Sequence, residues 1–229
     1  MTRALLTLVL VSGFQLRYDP ALLRRHEIKH LAKLTAQQNG TDIPIDVGPA
    51  RDQIVFPDNG RDGPDTITFL PLRDATVPNF AKAYPQPASY SAALRRALAA
   101  PAARMAAQLE RSDLACIDNG HAFHAHVKPL KFPWGEGVAF LTQYSQEGGQ
   151  SNPPNNQELV WVFLGLTRGG THYIRAEFAV RHPGLPATMA AAGRHSADAL
   201  QNFKHLPASG FSPNLDALES VLGSVQPLN

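Results

Sequence analysis

FPWGEGVAFLTQYSQEGGQSNPPNNQELVWVFLGLTRGGTHYIRAEFAVRHPGLP, residues 132–186, is the stretch that decides the fold. Three runs rich in apolar, aromatic and β-branched residues, Gly137–Ser145, Glu158–Leu166 and Thr171–Arg181, alternate with Gly, Asn and Pro punctuation. That pattern predicts a strand meander. Arg168-Gly169-Gly170 between the last two runs predicts a tight hairpin, because glycine supplies the positive φ such turns need.

Working outward, Ser196–Phe203 reads as a short helix after an alanine-rich connection, Ala187–Ala192. Asn214–Val225 reads as an amphipathic helix with Leu215, Leu218, Leu222 and Val225 on one face, Ser212-Pro213 capping its start. Upstream, His121–Leu130 is expected as a strand, with Leu114–Ile117 before it. Ser89–Arg111 is the clearest helix, broken by Pro101 near Ala100. Thr66–Leu72, Gln53–Phe56 and the alternating Phe14–Tyr18 read as strands. Asp19-Pro20 can open one helical turn over Ala21–Arg25. His26–Ala36 carries Ile28, Leu31 and Leu34 at helical spacing. The economical architecture is α+β: a mostly antiparallel sheet of about six or seven strands with flanking helices and a closing amphipathic helix, residues 14–229 forming one domain.

The 229 residues are enough for a real core. A net charge of +2 without a Lys/Arg cluster larger than a pair gives no reason to expect nucleic acid. One cysteine, Cys116, excludes an internal disulfide framework. Met1-Thr2-Arg3, the apolar run Ala4–Val11 and Ser12-Gly13 can be read two ways. Residues 1–13 are either a short or truncated signal segment or the first buried strand or helix.

Ala122-Phe123-His124-Ala125, Gly135-x-Gly137-Val138-x-Phe140-Leu141-Thr142-Gln143-Tyr144-x-Gln146, Asn156-x-Glu158-Leu159, Gly165-Leu166-Thr167 and His182-Pro183-x-Leu185-Pro186 together resemble a family of uncharacterised bacterial extracytoplasmic proteins, often lipoproteins. Tyr18–Leu22 and Thr66–Leu72 match more loosely. The resemblance implies a periplasmic or secreted binding module with no assigned reaction, and it leaves peripheral membrane association open. The lipobox cysteine of lipoprotein members has no counterpart here. In element order the chain is also similar to the PsbP/Mog1 type of α/β/α sandwich, which serves as a non-catalytic binding or assembly module.

Three constellations could carry chemistry. His121, His124 and His126 form H-x-x-H-x-H. On a strand, His124 and His126 would point the same way and share a zinc or copper ion, with His121, His172 or His182 as a third ligand. Against this, nine histidines make one group of three unremarkable. Trp134, Tyr144 and Trp161 could line an aromatic groove, Trp134 being the one expected at the surface because it lies in a Pro-Trp-Gly turn. At strand spacing, however, such residues more often pack in a core. Cys116 sits in an apolar run, where a thiol usually packs as a small hydrophobe. Gly-x-Ser-x-Gly and H-E-x-x-H do not occur. Glu147-Gly148-Gly149 and Arg168-Gly169-Gly170 lack the strand-to-helix setting of a phosphate loop. The aspartates of the 40–65 loop lack the D-x-D-x-D-G spacing of a calcium loop. Asn155–Glu158 reads as a turn whose side chains satisfy backbone groups. The expectation is a non-catalytic domain binding an unknown protein or small molecule, cofactor unknown. The alternative is a metal-binding protein or metal-dependent enzyme using the three histidines.

Overall fold

The computed structural model describes residues 6–32, 50–57, 65–72, 87–110, 120–145, 153–192 and 197–228. Cys116, Leu114–Ile117, Glu147-Gly148-Gly149, Leu34 and most of the 40–65 loop lie outside them. The strands are β1 (Thr7–Val11), β2 (Phe14–Tyr18), β3 (Glu27–Leu31), β4 (Arg51–Phe56), β5 (Asp65–Pro71), β6 (Gly120–His121), β7 (Ala125–Phe132), β8 (Gly135–Thr142), β9 (Tyr144–Ser145), β10 (Val160–Thr167), β11 (His172–Ala179) and β12 (Gln226–Pro227). The helices are α1 (Pro87–Ala99), α2 (Ala102–Glu110), α3 (Met189–Ala192), α4 (Ala197–Lys204) and α5 (Leu215–Gly223). This is the expected α+β class.

β3-β4-β5-β11-β10-β8-β7 form one antiparallel sheet of seven strands. β1-β2-β12 form a second, three-stranded sheet, and β6 pairs with β9. The meander supplies the centre: β10 pairs with β8 on one side and β11 on the other. Both faces of the sheet are covered at its centre, so all eight residues of β10 are buried, as expected of a strand sandwiched between layers. Trp161 and Phe163 join Phe69, Ile174 and Phe178 in a core closed by β1, β2 and the apolar face of α5. Val160, Val162, Leu164 and Leu166 face the other way, against Leu94 and Ala97 of α1 and Met105 and Leu109 of α2.

Strand glycines fit this packing. Gly165 and Gly137 are register partners. The Phe163 ring lies over both: a Cβ at Gly165 would stand 2.5 Å from that ring, and one at Gly137 would stand 2.3 Å from the Leu164 carbonyl oxygen. Ser12 and Gly13, both at positive φ (51° and 74°), close the two-residue hairpin between β1 and β2. β1 puts Val9 and Val11 in the core and leaves Leu6, Leu8 and Leu10 more than half exposed.

Three local readings change. Glu27–Leu31 is a strand, not part of a helix: its backbone pairs with β4 at the sheet edge, and the three-residue apolar spacing marks no buried face, since Ile28 is itself exposed. Gln143 divides the first meander run into β8 and the short β9. The His121–Leu130 strand is interrupted over residues 122–124. By contrast, Asn156 behaves as read. Its amide donates to the carbonyls of His182 and Leu185 and accepts from the His182 N–H, pinning the His-Pro-Gly-Leu-Pro loop. A fourth reading changes at α5: the cap is Asn214 rather than Ser212, because its side chain accepts from the Asp216 N–H and the helix begins at Leu215.

Candidate functional site

At one end of the sandwich three hairpin turns meet around a cleft of about 450 Å³. Ser12, Gly13 and Phe14 come from the β1–β2 turn, and Pro133 and Trp134 from the β7–β8 turn. Thr167, Arg168, Gly169, Thr171 and His172 come from the β10–β11 turn, with Pro227 closing one side. The volume lies in the ordinary range for a small-ligand pocket. Trp134 is in the wall but not at the surface as expected; it is 2% exposed. Its ring folds back to stack on Phe132 at 5.4 Å and meets Phe163 edge-on at 6.0 Å, and its Nε1–H donates to the Leu222 carbonyl at 2.8 Å. A partner for the indole N–H at the end of α5 lets the ring stay buried although the backbone turns there.

The polar side of the cleft is braced from below. Thr167 Oγ1 accepts the N–H groups of Thr171 and His172. Thr171 Oγ1 meets His172 Nδ1 at 3.1 Å. Ser12 donates to Asp52, which also meets His30 Nδ1 at 2.7 Å. Burial pushes the Asp52 carboxyl up, but the bonds from Ser12 and His30 and the nearby His30 and His172 rings outweigh it and leave Asp52 below its usual value. His172 is held below its usual value by burial, which Asp52 opposes. Arg168 stands exposed on the rim. Ser12, Asp52 and His30 are connected, but the carboxylate lies between the other two. The serine hydroxyl donates to a carboxylate and not to an imidazole, unlike a nucleophile–base pair.

A second polar group lies on the face covered by α1 and α2. Arg175 Nη2 donates to the Tyr144 hydroxyl at 2.9 Å and pairs with Glu177 Oε1 at 2.5 Å; Tyr144 also donates to Glu177. Burial, helped by Asp65, raises Glu177 to about 7, and the Arg175 guanidinium in contact with it works the other way. Beside them, β6 pairs His121 with Tyr144 of β9. His121 Nδ1 and His124 Nε2 face each other at 3.2 Å, both rings packed against Phe140. Burial lowers His121 to about 3, with His124 and Arg175 adding to the effect, and burial lowers His124 to about 4. Among the described residues, the outer nitrogens, His121 Nε2 and His124 Nδ1, are buried without a hydrogen-bond partner.

The structure therefore brings Tyr144, His121 and His124 together and separates the rest. His126 does not share their side: it adopts φ 52° at the start of β7, where the β7–β8 register slips between Ala125 and Lys128. Its ring points into the other core, with Nε2 3.2 Å from the Phe203 carbonyl oxygen and Phe211 at 5.5 Å. Alternation holds only within a regular strand, and His124 precedes this one. His172 is at the cleft and His182 packs on Phe211. Among the described residues no three His, Cys, Asp or Glu side chains are grouped to hold a metal ion. Trp161 is buried against Phe178 in the core opposite Tyr144, so the three aromatics do not line one groove. Arg175 and Glu177 escaped the sequence reading. The signal was present in HYIRAEFA, where two charges fall on alternate residues of an otherwise buried strand.

No family model, curated protein or solved structure matches this chain.

Proposed function

We propose that this chain is a non-catalytic binding domain whose ligand is a small molecule with an apolar or aromatic body and an anionic group, held in the cleft where the three turns meet. The observation that carries this reading is the composition of the cleft. Pro133 and Pro227 offer apolar surface backed by the buried Phe14 and Trp134 rings, while Arg168, Thr171 and His172 place a cation and hydrogen-bonding groups on one side. Ligand pockets combine those two features. The braced hydrogen bonds beneath Thr171 and His172 make the site pre-formed, which lowers the ordering cost of binding. The Ser12–Asp52–His30 order supports a binding role over a hydrolytic one. An extracytoplasmic setting belongs to the same proposal through the family resemblance, and fractionation of the native host tests it.

2-Naphthalenesulfonate is a suitable probe, titrated into the full chain and followed by tryptophan fluorescence and calorimetry. One saturable site is expected, weakened at least about tenfold by Arg168→Glu, since a charge-assisted contact becomes a repulsive one. A titration that shows no saturable site, or one indifferent to Arg168→Glu, rules the cleft out as an anion-binding pocket.

A further inference from the structure

We infer that the open edge of β1, above the uncovered strand β3, is a docking site for one extended, uncharged peptide strand of a partner protein, added to the three-stranded sheet by backbone hydrogen bonds. The first observation is an offset between the two layers. The small sheet lies along the large one in step. Phe14 of β2 stacks on Phe69 of β5, and Ser12, at the end of β1, donates to Asp52 of β4. Pro227 of β12 reaches the β10–β11 turn. β3 stands one strand beyond β4, and among the described residues no strand of the small sheet lies beyond β1 to cover it. None of the five residues of β3 is buried. Ile28 is the register partner of Ile54 and so shares its face of the sheet. Ile54 is fully buried in the core beneath β1 and β2, whereas Ile28 is exposed. The upper layer therefore stops one strand short. A strand paired with β1, about 4.8 Å further out, would lie over Ile28.

The second observation is the chemistry of the edge. Sheets guard open edges with charges, proline, bulges or very short strands. The other three ends of the two main sheets are guarded in this way. β3 carries Glu27, Lys29 and His30. β7 carries Lys128, Pro129 and Lys131, with a register slip. β12 is two residues long and contains Pro227. β1, Thr-Leu-Val-Leu-Val, has none of these devices, and its outward residues are leucines more than half exposed. Alternate residues of an edge strand turn both backbone polar groups outward, the template that a strand-adding peptide uses. These features define the occupant. A charged segment would bring its charges over Ile28 and beside Leu8 and Leu10, so the segment that fits is uncharged, with apolar or β-branched side chains toward β3. A second copy of β1 does not suit the place, because it would bring its own β4 beneath it, to where β3 stands. The edge is separate from the cleft: Arg168 and His172 take no part in it.

The probe is a capped peptide of alternating valine and threonine with a lysine at each end, titrated into the isotope-labelled full chain and followed by NMR. Saturable shifts are expected at the amides of Thr7–Val11 and the methyl groups of Ile28, with slowed hydrogen exchange along β1. The same peptide with proline at two adjacent central positions must present one of them to β1. It then lacks a donor and leaves a β1 carbonyl unpaired, so it should bind at least about tenfold more weakly. Leu8→Lys/Leu10→Lys supplies the missing edge charges and should weaken binding of the first peptide as much; both leucines are exposed, so the core is untouched. Met189→Lys, exposed elsewhere, and Arg168→Glu should leave it unchanged. No saturable binding, indifference to the prolines, or shifts confined to residues away from β1 and β3 would each overturn the inference. Self-association of the chain, or sedimentation with phosphatidylcholine–phosphatidylglycerol vesicles, would also overturn it if abolished by Leu8→Lys/Leu10→Lys, since the leucines would then serve another occupant. The unaltered protein with the two peptides decides the matter even if a variant fails to fold. Peptide and naphthalenesulfonate are titrated separately, so failure here and failure of the cleft reading are separately visible.

Discussion

His121 and His124 illustrate how environment, rather than residue type, sets chemistry. Both are ordinary histidines in the sequence, yet burial holds them at about 3 and about 4. The unfolded chain, with histidines near 6.5, therefore binds more protons than the folded one between those limits. The stabilisation is complete above about 6.5 and is lost as pH falls through that window. Glu177 acts in the opposite sense. Its folded value is raised, so its contribution is present at low pH and lost as pH rises toward 7. Urea unfolding from pH 4.5 to 6.5 should show stability rising with pH, and His121→Gln/His124→Gln should flatten that slope. An unchanged slope in the double variant would mean these rings are not the groups being titrated. At this scale the sequence identified His121, His124 and Tyr144 as candidates. It did not identify Arg175 and Glu177, because their meeting with Tyr144 is a side-chain contact between β9 and β11, strands that do not pair with each other.

Elements were most legible where local chemistry and packing agree. The meander, the Pro101 break between α1 and α2, the Arg168-Gly169-Gly170 turn and the apolar face of α5 all follow from period, proline and glycine signals, although the cap of α5 falls at Asn214 and not at Ser212. The failures occur where pairing overrides local pattern. Glu27–Leu31 had helical spacing, but the free edge of β4 offered it a complete set of backbone partners. The register slip at the start of β7 turned His126 away from His124, and no composition rule marks that position. The glycines of β8 and β10 look like strand weakeners until Phe163 is seen lying across them. Gly165→Ala should accordingly destabilise the protein by about 1–3 kcal/mol, as an overpacked core position does. The measurement is denaturant unfolding. A neutral effect would show that the Phe163 ring moves aside at no cost. Gly169→Ala, open to solvent apart from Thr171 at 3.7 Å, is the matched control.

At the scale of the molecule, the β1–β2 hairpin shows how an ambiguous segment acquires a role. Ala4–Val11 can be read as a leader or as a buried element, since both need an apolar run. In the fold, Thr7–Val11 pairs with β2, and Val9 and Val11 enter the core shared with α5. A chain beginning at Phe14 should therefore lose about 3 kcal/mol, two valines at about 1.5 each, and melt roughly 6–12 °C lower. Calorimetry on the two lengths checks this; equal melting temperatures would show that the hairpin is dispensable. The same hairpin supplies one wall of the cleft, which is assembled from turns far apart in the chain. That division is general here. The sequence by itself determined the class, the strand meander and the closing helix, because periodicity, glycine turns and caps act over a few residues. Only the tertiary structure decided which side chains meet: the cleft, the facing imidazoles and the Tyr144–Arg175–Glu177 group depend on strand register and on long-range returns of the chain, and alternating patterns do not encode which strand lies next to which.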